Sequence, residues 1–330
     1  MKNRLKVLAV SAIIFLLEGL LWGQIPGSLS VPILGYVLDT HLHAIRPLIG
    51  IPGSSRIDAP LPLGFAVDQA AFLPDRNYAL VASGDIEEVV LVDLENPSRF
   101  TPITGASSSA TTIRLSADGT KAVFHYEARQ RLLVIHGLET APSIAAIIDT
   151  GFAKSVLKRF AISNDGQFAL LAFSGEESDV IYRWSATSGA QPISTASSVS
   201  DIAFVRDDAV IADSGADHVV MIRNVSGQAT SLLVADRGND IASPTAIAIS
   251  SRSEIYIGNA GNGTIVVLES SGRVLRSLKC SCLITDVSPL LHSVFRLTSR
   301  VDLPLFILDG RNDIEDIHFV PAVASAGAAP

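Results

Sequence analysis

The stretch "SEIYIGNAGNGTIVVLESSGRVLRSL", residues 253–278, reads as three short β-strands joined by two tight turns. β-Branched and apolar residues make the strands, and Asn, Gly and Ser clusters mark the turns. Three strands in a meander bury little of their own surface, so the fragment needs neighbours of its own kind. They are present. A short apolar strand followed by a polar turn recurs as "AAFLPDRN" (70–77), "IRLSADGT" (113–120), "FAISNDGQ" (160–167), "IAFVRDDA" (202–209) and "IAISSRSE" (247–254), with a weaker sixth copy, "DVSPLLHS" (286–293). With Asp75, Asp118, Asp165, Asp208, Arg252 and Ser293 as equivalent positions, the spacings are 43, 47, 43, 44 and 41 residues. A period of about forty in a strand-rich sequence marks a β-propeller rather than a helical solenoid.

Each unit continues with a second strand such as "FALLAF", a third such as "HVVMIRN" and a weaker fourth, and no long stretch carries a 3.6-residue amphipathic period. Four-stranded sheets left open expose their edges, and a ring of sheets is the usual remedy. The expected fold is therefore an all-β propeller of four-stranded antiparallel blades. The ends complicate the count: "ILGYVLDTHLHAIRPLIG" (33–50) matches "LFILDGRNDIEDIHFVP" (305–321) as a third-and-fourth-strand hairpin, which gives seven outer hairpins for six inner pairs. Six complete blades plus an N-terminal hairpin that helps close the ring is the preferred reading; seven blades with one incomplete is the alternative.

Composition narrows the setting. Of 330 residues, 48% are hydrophobic and 18% charged, with a net charge of -8. That supports a sizeable core and argues against disorder and a nucleic-acid partner. The one basic cluster, Lys154, Lys158 and Arg159, reads as a solvated loop edge. The N-terminus has a basic start and an apolar run from Val7 to Trp22, a signal-peptide pattern with cleavage expected after Gly23. An uncleaved membrane tether is the alternative, and no Cys follows the run to carry a lipid. The expected organisation is a signal peptide over 1–23, one propeller domain over 24–321 and a flexible tail over 322–330, with the mature chain exported to the periplasm or outside the cell and without a membrane span. Cys280 and Cys282 are either a local disulfide or two free thiols.

Residues 243–275 resemble an NHL-type repeat, and residues 114–148 resemble the YVTN-type repeat of bacterial surface and lactonase-like propellers. The resemblance covers residues 65–320 and rests on turn and strand pattern. It implies the propeller fold. Gluconolactonase-like members would add a Glu, Asn and Asp set around one metal, and that set is not matched residue by residue.

In a propeller the inner strands line a central channel, and ligands gather at its mouth. Seven residues before each turn anchor lie Asp68, Thr111, Lys158, Asp201, Thr245 and Asp286, and the exits of the second strands add Asp85, Glu176, Asp213, Asn259 and Arg300. Asp68, Lys158, Asp201, Asp213, Asn259 and Asp286 are the candidate ligand-binding residues of this carboxylate-rich mouth. Asp68, Asp201 and Asp286 are the candidate metal ligands, with Ca²⁺ the cation that converging oxygens would suit. The competing expectation is that these side chains bond loop backbones around a solvated channel. His41 and His43 share a hairpin face without a third ligand, and Trp184 reads as packing between blades. No G-x-S-x-G elbow, H-E-x-x-H or phosphate loop is present, so no catalytic residue is named. The expected role is a non-enzymatic scaffold that binds a protein or small ligand at its loop face; the alternative is a metal-dependent lactonase or hydrolase.

The export expectation has a direct test. Intact mass spectrometry of protein recovered from outside the cytoplasm should show a chain beginning at Gln24. A chain that begins at Met1 and is confined to the cytoplasm would refute it.

Overall fold

Strands such as Phe168–Phe173 are buried on both faces, so each sheet needs cover on both sides. The computed structural model meets this need with seven antiparallel sheets, each built from one continuous run of chain. It describes residues 31–291, 293–311 and 316–322. The expected signal segment and the tail beyond residue 322 lie outside the described residues.

Sheet A contains Ile33–Asp39, Ala44–Ile51 and Ser54–Ile57. The others have four strands each and begin at Gln69–Phe72 (sheet B), Thr112–Leu115 (C), Leu157–Ile162 (D), Val199–Val205 (E), Pro244–Ile249 (F) and Ser288–Pro289 (G). Successive strands are neighbours in every sheet. The first strand of each sheet lines a shared channel, so the chain is a β-propeller of antiparallel sheets, which over the described residues number six of four strands and one of three.

Of the two counts left open by the sequence, seven blades with one incomplete is the one seen. The N-terminal hairpin is also reassigned: Ile33–Asp39 and Ala44–Ile51 are the first and second strands of sheet A, not a third and fourth. Tyr36 and Leu38 of its first strand line the channel, as an innermost strand does, while Leu34 and Val37 pack on sheet G and Tyr36 on sheet B. The other half of the match holds, because Leu305–Asp309 and Asp316–Val320 are the third and fourth strands of sheet G.

One apolar cluster fills the gap between each pair of neighbouring sheets. Between D and E, for example, Leu170, Ile181, Ile202, Phe204 and Ile211 interlock. Trp184 packs between C and D, as the sequence suggested. At the seam, Leu34, Val37, Leu48 and Ile57 of sheet A meet Leu290, Val294, Leu305 and Ile307 of sheet G, and the Leu291 N–H donates to the Leu34 carbonyl at 2.8 Å. Among the described residues, no strand crosses from one end sheet into the other.

Near the axis the sheets converge, and small residues sit there: Ala71, Ala161, Ala203 and Ala248 occupy inner strands at these interfaces. Gly258 serves the same end between F and G, where a Cβ would lie 2.6 Å from Val287 Cγ2. The repeated polar turn is also explained. Ser116 and Ser163 donate to Asp118 and Asp165, whose carboxylates accept the N–H of Thr120 and Gln167. Gly119, at φ +70°, takes the left-handed position that closes the turn.

Cys280 and Cys282 form a disulfide just past the last strand of sheet F, where the chain is no longer extended and the Cα atoms approach to 5.1 Å. Among the described residues, no helix is long and apolar enough to cross a membrane.

The seam gives a stability prediction. Leu48→Ala should cost about 2–5 kcal/mol, as for other buried leucines. Hydrogen exchange should show lost protection concentrated in sheets A and G; uniform loss around the ring would contradict a seam held mainly by its apolar cluster.

Candidate functional site

The mouth of the channel is built where the chain enters each inner strand. In sheets D, E and F the register slips by one residue there, leaving Lys158, Ser200 and Thr245 unpaired in the ladder. Such bulges re-aim side chains. Ser200 and Thr245, with Thr111 of sheet C, donate to carbonyls of the adjoining second strand: Ala212, Gly258 and His125 respectively. Ser200, rather than Asp201, is therefore the counterpart of Lys158 and Thr245. The count from the turn missed it because the E turn, at Arg206 and Asp207, is shorter than the Ser-Asn-Asp-Gly-Gln turn of sheet D.

Five of the six residues expected at this mouth line it together: Thr111, Lys158, Asp201, Thr245 and Asp286. Asp68 does not line it. Its carboxylate accepts the Gly84 N–H at 2.7 Å and lies 3.2 Å from His43 Nδ1. Asp213 accepts four backbone N–H groups, from Ser197, Ser198, Gly215 and Ala216, and so holds the loops at the D-to-E connection. Fully buried Asn259 does similar work in sheet F, accepting from Ala242 N–H and donating to the Ile257 and Thr264 carbonyls. Of the remaining residues, Asp85 caps Ala66, Arg300 pairs with Asp302, and Glu176 is exposed.

The mouth is charge-balanced, not carboxylate-rich. Lys158 Nζ lies 2.6 Å from buried Asp179, so it is no solvated loop edge. Arg296 Nη2 lies 2.6 Å from Asp286. Arg114 Nη1 lies 2.7 Å from Asp201 and donates to the Phe160 carbonyl, so one side chain of sheet C reaches across D to E. Asp201 also accepts the N–H groups of Ile202 and Ile247. Among the described residues, no three His, Cys, Asp or Glu side chains group as a metal site requires.

Arg114, Asp179 and Arg296 were not picked out from the sequence. Arg114 had a signal: in "AAF", "FAI", "IAF" and "IAI" the middle residue is Ala, and "IRL" alone puts Arg there. Asp179 and Arg296 had none, since each is defined by a partner from another strand.

His125, which no spacing had singled out, is 8% exposed, sits edge-on to Phe160 and borders the mouth. Burial lowers its pKa, partly opposed by nearby Glu127. On the channel wall Tyr36 stacks on Phe72, and burial pushes its phenol up to about 12, with Glu95 and Asp93 adding to the shift.

No protein-family model matches the chain, and no curated protein does. Among solved structures, virginiamycin B lyase from Staphylococcus aureus superposes with a TM-score of 0.54 at 11% identity, over 76% of this chain and 83% of that one. The WD40 repeats of RRP9 give 0.53 at 15% identity, over 79% and 82%. U3-55K gives 0.51 at 14% identity, over 78% and 82%. At such identities the likeness shows the fold alone, that of a seven-bladed β-propeller.

The histidine yields a pH prediction. Its folded-state pKa lies below the unfolded value of about 6.5, so below that pH the unfolded chain binds the extra proton. Thermal stability should therefore fall as pH drops through this range, and His125→Gln should flatten the fall. An unchanged pH profile in the variant would count against a neutral, buried His125.

Proposed function

We propose that this chain is an exported, non-enzymatic propeller of the NHL and YVTN kind that serves as a binding scaffold. The observation that carries this is the commitment of the mouth's charged groups. Asp201, Asp286 and Lys158 each hold an oppositely charged partner, and Asp213 and Asn259 hold loop backbone. Groups so engaged rigidify a rim; they are not poised as nucleophile or general base. The fold itself is neutral on this point, since it serves both a lyase and WD40 repeats. Export is supported by the N-terminal pattern and by the Cys280–Cys282 disulfide, a bond suited to oxidising compartments.

The competing metal-dependent hydrolase draws on one observation, that Asp201 and Asp286 border the same mouth. Calorimetric titration of Ca²⁺ and Mn²⁺ into metal-stripped protein separates the two. The scaffold reading expects heats of dilution only. Saturable binding that disappears in the Asp201→Ala, Asp286→Ala double variant would replace it with the hydrolase.

A further inference from the structure

The channel is divided into two chambers of ≈ 430 Å³ each. Both fall within the range of about 300–1,000 Å³ usual for small-molecule sites. The outer, at the mouth, is lined by polar groups including Thr111, His125, Lys158 and Thr245. The inner is lined largely by apolar side chains, among them Leu38, Phe72, Ile113, Ile162 and Ile249. Arg114, Asp201 and Asp286 border both, together with Phe160, so a layer of charged groups lies where the two meet.

Arg114 is the distinctive member of that layer. Its contacts to Asp201 and the Phe160 carbonyl both use Nη1. Among the described residues nothing engages Nε or Nη2, and the side chain is 33% exposed. The Nε–Nη2 edge is the fork that receives a carboxylate through two parallel hydrogen bonds. Asp201 does not cancel this, because two backbone N–H groups share its charge. On the rim, among the described residues, Arg159 bonds only backbone carbonyls and adds a positive charge, and Glu127 supplies an opposing one.

We infer that the channel binds a small monocarboxylic acid, its carboxylate on the free edge of Arg114 and its apolar body in the inner chamber. The inference rests on the scaffold reading and names the ligand class for that site. An anchoring cation beside an apolar cavity selects both ends of such a molecule, and neither a bare anion nor a neutral hydrocarbon gains both contacts.

The test is calorimetric titration of the mature protein with octanoate, octanamide and acetate, using wild type, Arg114→Lys and Ile113→Trp. Octanoate should bind saturably at one site and at least tenfold more tightly than octanamide or acetate. Arg114→Lys, which keeps the charge and loses the fork, should weaken octanoate by about tenfold, roughly the worth of one good hydrogen bond to a charged group. Ile113→Trp, which fills the inner chamber and leaves Arg114 in place, should abolish binding while circular dichroism stays unchanged. Equal binding of octanamide, or an Arg114→Lys variant that binds as wild type does, would overturn the assignment to Arg114. Absence of octanoate binding in folded wild type would overturn the inference while the metal titration still decides the scaffold reading.

Discussion

Side-chain packing between neighbouring sheets is the interaction on which this ring depends. Within a sheet the ladder is local, and each sheet is made by one continuous run of chain. Among the described residues no strand is exchanged between sheets to lock the circle, and closure at the A–G seam relies on the same kind of apolar cluster as every other gap. Alanines near the axis follow from that geometry, since wedge-shaped gaps leave little room at their narrow ends.

The channel's polar layer is a second consequence. Converging inner strands bring charges close in partly dry surroundings, where an unpaired charge is costly and a paired one is tolerable. Arg114, Lys158 and Arg296 each answer a carboxylate, and Arg114 does so across an intervening blade. The rim is thereby fixed in shape without being drained of hydrogen-bonding capacity, because among the described residues nothing engages the Nε–Nη2 edge of Arg114.

The repeat was legible because strand and turn chemistry act locally. Polar turns at Asp118 and Asp165 signal themselves through Ser, Asp and Gly, and the strands between them fall where expected. The N-terminal hairpin was misassigned because it lacks that turn, and its place in the ring is set by contacts with sheet G almost the whole chain away. The mouth was half legible. Counting from the turns found Lys158, Thr245 and Asp286, but a shorter turn in sheet E displaced Ser200, and Asp68 is held away by Gly84 and His43. Ion pairs between strands, such as Lys158 with Asp179, leave no trace in spacing at all.

Because each sheet is one run of chain and the A–G interface is packed like any other, the described sheets do not depend on which inter-sheet gap lacks a connection. A link from Val320 to Ile33 would run from an outer strand to the next inner strand, the path that Ser197 and Ser198 already cover between sheets D and E. The ring could thus be circularly permuted, with new termini opened in another inter-sheet connection, and the same contacts would close it.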